Sequence, residues 1–373
     1  MTAHQRFLAR KVLTAICFLS LFMAGLALVP RPASAQIVWK PTEDVKFNFG
    51  FQGQMWGDST QNAETGGYAQ NLYLRRTRLI VGGEIGSNVT FFFETDDPNL
   101  GKTPKALNTG FLVQDAFLEW KLTNAFRLDG GIMLVPFSHN GLQSTVTYLT
   151  LDVSPLATVS NISTQSSALR DTGFQARGFL FNDHLLYRVG VFQGDRNTDA
   201  RNSLRSAAYV QYDFFGSETS YVMPGTTLGR TRLLGISAGA DTQGSYRAYS
   251  AGMHGALPVL GGDELGGQVE YLHYDGRKEF IAIPDQRGYL TEAAYYIHKI
   301  KLQPFGKAES TGFNLATAAL TKDYNRYGCG ANYYVHGQNL KLTAQYLRAE
   351  PRHSNSGLKS TNEFTLQLQV FYF

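Results

Sequence analysis

Two groupings of residues in this chain carry side chains able to do chemistry. In the first, Ser138, His139 and Asp152 share one polar stretch, and Ser250 and His254 lie four residues apart on one face. A serine activated by histidine would make an acyl-transfer nucleophile, as in a membrane phospholipase or protease. Neither pair sits in a tight nucleophile motif, and isolated Ser/His pairs are the expected background of a polar loop. No C-x-x-C-H haem-attachment motif occurs, because Cys17 and Cys329 are the only cysteines. The sequence therefore calls for no catalytic residue, no metal and no cofactor. In the second grouping, cations recur at alternating positions: Arg76, Arg78, Arg127, Arg177, Arg188, Lys307, Arg326 and Lys341. Glu94, Asp96, Asp115, Glu119, Asp129, Asp213, Glu270 and Glu309 are interspersed among them. Charges placed along a wall do not catalyse; they select which ions pass.

Such a wall needs strands to hold it. Val45–Trp56 puts Val45, Phe47, Phe49, Phe51 and Met55 on one face and Lys46, Asn48, Gln52 and Gln54 on the other. Asn362–Phe373 alternates Phe364, Leu366, Leu368, Val370 and Tyr372 against Glu363, Thr365, Gln367 and Gln369. Segments of about ten alternating residues are the mark of a transmembrane β-barrel. Counting them gives sixteen strands, centred near Phe51, Thr77, Phe92, Ala116, Ile132, Ala176, Val189, Val210, Ser237, Gly252, Val269, Ala293, Phe305, Gly330, Ala344 and Leu368. Short and long connections mostly alternate, as periplasmic turns and extracellular loops do. Gly216–Arg230 breaks the rule, being long where a short turn is expected, and leaves eighteen strands as an alternative count. The expected fold is all-β: an antiparallel barrel with a long third extracellular loop, Pro136–Asp171, folded into the lumen. That loop has one acid, Asp152, before Arg170, and mixes Ser, Thr, Asn and Gln with apolar residues. Its composition suits packing against walls, and its length marks it as functional rather than a simple connection.

Ahead of the barrel, Arg6, Arg10 and Lys11 precede an apolar run, Val12–Leu28, and an Ala33-Ser34-Ala35 cleavage site. Residues 1–35 thus read as a cleaved signal peptide and 36–373 as the barrel. The leader holds four of the 34 basic residues and none of the 30 acids, so the remainder carries 30 of each. Nothing in this balance points to nucleic acid.

Facing follows from energy. An arginine turned to lipid costs roughly 2–4 kcal/mol at the bilayer midplane. In Arg75-Arg76-Thr77-Arg78, one outward arginine costs less than two. Arg76 and Arg78 are therefore expected to face the lumen, with Arg75 outward, reaching toward the rim.

Several motifs resemble the phosphate-selective porin O/P family. Gly130–Ser138 is similar to its G-x-F-K-x-P-F-S segment, and Leu169–Gln175 to its RDxG strand. Tyr187–Gly194 resembles its Y-x-x-G-V-F-N-G segment, Gly328–Leu347 its G-x-N-Y-Y hairpin, and Leu72–Arg78 its paired-arginine strand. The resemblance implies a sixteen-stranded homotrimer in the outer membrane of a Gram-negative bacterium, narrowed by its third long loop. It also implies a role for the terminal Phe373 as a signal to the barrel-insertion machinery. Where the family pattern has a lysine, this chain has Met133, which argues against strong phosphate selectivity. The expected function is a water-filled channel for small hydrophilic solutes and ions with mild anion preference. Its expected lining is Arg76, Arg78, Arg127, Met133, Asp152, Arg170, Arg177, Arg188, Lys307, Arg326 and Lys341. The alternatives are a structural or receptor-like barrel that partners periplasmic proteins and, least of all, a barrel phospholipase.

Overall fold

The computed structural model describes residues 37–164, 169–196, 203–314, 323–352 and 359–373; the expected signal peptide, 1–35, and positions 165–168 of the long loop lie outside them. The strands are β1 (Ile37–Thr42), β2 (Val45–Gln61), β3 (Tyr68–Ile85), β4 (Val89–Asp96), β5 (Leu112–Lys121) and β6 (Arg127–Leu134). Next come β7 (Arg170–Leu180), β8 (Leu185–Phe192), β9 (Arg205–Asp213), β10 (Leu233–Gln243), β11 (Tyr246–Pro258) and β12 (Glu264–Asp275). The last five are β13 (Gln286–Tyr296), β14 (Leu302–Phe313), β15 (Tyr324–Gln338), β16 (Leu340–Pro351) and β17 (Thr361–Tyr372).

Each of β2 to β17 pairs antiparallel with its sequence neighbour, and β17 returns to β2 in a register running from Glu363↔Thr60 to Tyr372↔Phe51. Sixteen strands thereby close a barrel without edges. Closure satisfies the backbone within the sheet, which lipid demands. The additional strand, β1, was not foreseen; it pairs with the start of β2, Ile37 opposite Phe49.

The distribution of burial is inverted relative to a water-soluble protein. Gln54, Gln369, Gln211 and Asn332 are fully buried, whereas Leu72, Phe174, Tyr289 and Leu265 are among the exposed large apolar residues. Strand β13 alternates buried and exposed positions along its whole length. Polar side chains face a crowded interior and apolar ones face outward, as a lipid-embedded barrel requires.

Three local departures from the expected pattern matter. First, the β2–β3 register shifts between Gln54 and Met55, so Gln54 pairs with Arg76 while Met55 pairs with Leu74. Arg75 is the extra residue of this bulge, and a bulge re-aims a side chain. It turns inward instead of outward. Second, the β10–β11 connection is a tight turn at Gly244-Ser245, while the opposite-end β9–β10 connection is the long one. The strand count stays at sixteen; the long connection folds inward. Third, Arg170 and Asp171 pair with Leu134 and Met133, so they open β7 rather than close the loop.

Phe373 lies on the lumen side of the wall. Its ring meets Phe92 edge-on at 5.8 Å and fills the space left by two glycines, Gly50 and Gly82. A Cβ at Gly82 would stand 2.8 Å from that ring, so only glycine admits it there.

Candidate functional site

The loop between β6 and β7 spans the barrel interior. Ser138 opens a short helical turn, His139–Leu142, by accepting from the Gly141 amide. Glu270 of β12 accepts from the amides of His139, at 2.7 Å, and Asn140, at 3.3 Å. Thr145 meets the wall on the other side, accepting from Gln52 Nε2 of β2 at 2.9 Å. Thr150 donates to Glu292 of β13, and Asn332 of β15 donates to the Leu149 carbonyl at 2.8 Å. Lys341 of β16 and Gln369 of β17 both donate to the Val146 carbonyl, at 2.9 and 3.1 Å. Apolar anchoring accompanies this: Leu156 and Phe137 pack with Leu272, Tyr274 and Tyr246 on β11 and β12. The mixture of polar and apolar residues in the loop sequence is what contact with such a wall requires.

On β3 the loop is held by charge. The Asp152 carboxylate receives Arg75 at 2.8 Å and Arg76 at 2.6 Å, and Arg76 also donates to Gln54 at 2.6 Å. Arg78 beside it pairs with Glu94 at 3.0 Å and Asp96 at 2.9 Å. Burial acts to raise the pKa of Asp152, but the two arginines outweigh it and hold the carboxyl below its usual range. Two cavities adjoin this cluster. One, of about 400 Å³, lies between the inner face of β2–β5 and the loop, and is lined by Arg170, Arg177, Tyr221 and Phe373 among others. The other, of about 320 Å³, is bounded by Arg75, Asp96, Asp152 and Pro155. Arg76, Arg78, Val153 and Thr158 line both cavities, so the arginine–aspartate cluster stands where they meet.

The remaining expected lining residues separate into three situations. Arg170 pairs with Asp115 at 2.9 Å, and Arg177 pairs with Asp129 at 3.1 Å and with Glu119. Arg127 meets Glu119 at 3.3 Å, Lys307 meets Glu292 at 3.3 Å and Glu309 at 3.1 Å, and Arg326 meets Glu309 at 2.8 Å. Two cations are held by carbonyls: Lys341 by Val146, and Arg188 by Tyr221 at 2.7 Å. Arg188 is fully buried and has no carboxylate at ion-pair distance among the described residues. Met133 is a correction. It is on the lumen side, but its side chain is fully buried among Phe117, Val135, Phe192 and Ala207 and meets no water.

Arg188 owes its burial to a segment the sequence did not point to. The β9–β10 connection enters the interior, and its Met223 exchanges backbone hydrogen bonds with Leu142 and Ser144 of the loop, at 2.9 and 2.8 Å. Tyr221 stacks on Phe117 at 4.6 Å and lies under the guanidinium groups of Arg177 and Arg188, 5.1 and 5.3 Å from its ring. The only trace of this in the sequence is the excess length of Gly216–Arg230. The serine–histidine pairs are otherwise engaged: Ser138 caps the helical turn, and Ser250 donates to the Phe137 carbonyl.

A closed sixteen-stranded antiparallel barrel with apolar outer and polar inner faces, its lumen crossed by a loop, defines an outer-membrane porin. Residues 47–223, from β2 into the luminal β9–β10 segment, match the model of the family described as phosphate-selective porin O and P, the family its motifs resemble. The fold is that of an anion-selective porin from Comamonas acidovorans, 10% identical, with a TM-score of 0.59 over 88% of this chain and 100% of that one. It is also that of OprB from Pseudomonas putida, 7% identical, TM-score 0.61, over 88% and 94%. OmpT of Vibrio cholerae in its trimer form is 12% identical, with a TM-score of 0.54 over 87% and 99%. No curated protein matches the chain. The location is the outer membrane of a Gram-negative bacterium.

Proposed function

We propose that this porin passes small hydrophilic solutes and ions by diffusion between the loop and the β2–β5 wall, with a mild preference for anions. The loop acts as the constriction, and the path runs through the two cavities past Arg76, Arg78 and Asp152. One observation carries the sign of the preference. Cations and acids are nearly balanced, yet in many pairs the cation is the partner nearer water. Arg170, which lines the first cavity, is 13% exposed against 3% for Asp115, and beyond the cavities Arg326 is 23% against 1% for Glu309 and Lys102 34% against 1% for Asp58. A passing ion meets the exposed partner first, and low-dielectric walls focus its field. Arg76–Asp152, Arg78–Glu94 and Arg177–Glu119 run the other way, with the acid the more exposed partner, which keeps the preference mild.

Phosphate is not singled out. A tight phosphate site needs several converging cationic donors. Here most lining arginines already hold carboxylates, and Met133 replaces the family's lysine. The channel needs no catalytic residue for this work. In the membrane the chain forms a homotrimer surrounded by lipid, with Phe373 read by the insertion machinery. The trimer form recorded for the Vibrio cholerae barrel supports the first of these. Reversal potentials in planar bilayers test the ion preference, and migration of unheated protein on a denaturing gel tests the trimer.

A further inference from the structure

Three elements bring ionisable side chains together away from the permeation path. His139 comes from the loop, Glu218 from the β9–β10 segment and His254 from β11. The two imidazole rings are stacked, with centroids 3.7 Å apart and planes within 11°. Glu218 Oε2 stands 3.7 Å from His139 Nε2 and 3.8 Å from His254 Nε2, and Asp213 Oδ1 stands 3.6 Å from His254 Nε2. The three side chains are 3%, 2% and 4% exposed, in that order.

These separations are too long for hydrogen bonds. His139 Nε2, both ring nitrogens of His254 and Glu218 Oε1 are buried without a hydrogen-bond partner. Burying such an atom with nothing to meet it is unfavourable, because it gives up its bonds to water without replacement. Stacked imidazoles cannot both charge without repelling each other, and in the tautomer with the proton on Nδ1 the Nε2 of a neutral ring meets the carboxylate lone pair to lone pair. A divalent cation between them removes both conflicts, because neutral imidazole and carboxylate are its natural ligands.

We propose that His139, His254 and Glu218 bind a divalent transition-metal ion of the zinc class, with Asp213, beside His254, next to the remaining position. The donor atoms of the first three all lie within 4.8 Å of one another. Metal–ligand bonds of about 2.0–2.2 Å hold donors roughly 3.3 Å apart in a tetrahedron, so binding draws the donors together and turns the stacked rings until both in-plane lone pairs meet the ion. Mixed imidazole and carboxylate ligands favour zinc over the harder calcium and magnesium. The surroundings are already arranged. Gln268 Oε1 lies 3.2 Å from His139 Nδ1, where a proton on Nδ1 leaves Nε2 free for the ion. Gln211 Nε2 donates to Asp213 Oδ1 at 3.0 Å and to Glu218 Oε2 at 2.7 Å, orienting both carboxylates. Gly235 leaves the room: a Cβ there would fall 2.5 Å from Asp213 Oδ1 and 2.8 Å from His254 Nε2. The ion would tie both luminal segments to the β11 wall, making it a staple of the constriction rather than part of the path.

Untagged, folded, full-length porin in detergent, stripped with EDTA, is titrated with zinc chloride in a calorimeter and with cobalt chloride in a spectrometer. The expected result is one zinc per chain and a tetrahedral cobalt spectrum with nitrogen and oxygen ligands. The His139→Asn, His254→Gln and Glu218→Gln variants should each bind zinc more weakly by about 100-fold or more, since even outer-shell changes cost 10–100-fold. Circular dichroism and heat-modifiable migration confirm that each variant is folded, and any that is not leaves the others to decide. Absence of stoichiometric zinc binding, an octahedral cobalt spectrum, or unchanged affinity in the folded variants would overturn the proposal. The cobalt spectrum of the unmodified protein decides independently of every variant.

Discussion

Along β12 to β17 the loop meets a wall that grips it by hydrogen bonds, from the charged Glu270, Glu292 and Lys341 as well as from neutral groups, and by buried apolar packing. Gln345 accepts from the Leu151 amide, Asn332 donates to the Leu149 carbonyl and Tyr274 to the Leu156 carbonyl. Along β3 to β5 the wall is studded with arginines and acids, Asp152 is the loop's main charged contact, and cavities open on both sides of it. The same loop thus has a docked side and an open side. On the docked side hydrogen bonds and apolar packing fix the segment in place, and the charged groups among them are taken up by the loop itself. Paired charges hold less space and leave their more exposed members facing water. On this account the first wall is scaffold and the second is the path.

Removing the loop should break this comparison outright. Deleting Gly141–Ser166 takes away the scaffold contacts and the Asp152 cluster together, and single-channel conductance should rise severalfold while the strands keep their pairing. Unchanged conductance in an inserted mutant would place the passage elsewhere.

Asp152→Asn comes next, because it acts on the open side alone. It leaves Arg75 and Arg76 without their carboxylate. It should weaken loop docking by up to about 3 kcal/mol, the lower end of the range for breaking a buried pair, because Asp152 keeps 22% exposure. Anion preference should increase, read as a shift in reversal potential. The corresponding change on the docked side, Thr150→Val, should leave selectivity unaltered.

Arg177 and Arg188 sharpen the contrast further. Both lie on the strands after the loop, and their shared proximity suggests one role. Their partners differ. Arg177→Gln strips Glu119 and Asp129 of their main cation and should move the channel toward cations. Arg188→Gln, buried beneath Tyr221 and held by its carbonyl, should change selectivity little and stability more. Equal shifts from the two would contradict this division.

The smallest effect expected is that of pH. Because the arginines hold Asp152 below its usual pKa, its contribution is fully present above about pH 4, the unfolded value, and is lost only as pH falls through the lower folded value. The part of the conductance that Asp152 controls, read as the difference between the unmodified channel and Asp152→Asn, should therefore be flat from neutrality down to about pH 4. A step within that window would show the carboxylate to be less firmly paired.

The barrel was legible because side chains on a strand alternate with a period of two, and lipid enforces the sorting along every strand. Each expected strand centre, from Phe51 to Leu368, falls within an observed strand. Arg76 and Arg78 face inward for the reason the lipid cost gives. Local irregularity was not legible. The bulge at Arg75 breaks the two-residue period, and nothing in Leu74-Arg75-Arg76 announces it. Met133 lies on the expected side, but the depth of packing above it depends on Phe117, Phe192 and Tyr221, which are distant in sequence. The same is true of His139, Glu218 and His254, whose positions follow no spacing rule and meet only because two connections enter the barrel. Polarity alternation reports the face of a strand, not what else arrives at that face.

The sign of the charge met in the path decides which member of each pair faces the passing ion. The measurement is the reversal potential of the unmodified porin in a planar bilayer across a potassium chloride gradient. A mild anion preference is expected at low salt, fading as the screening length shortens to about 3 Å near 1 M. A clear cation preference would mean that the acids, not their more exposed partners, face the passing ion.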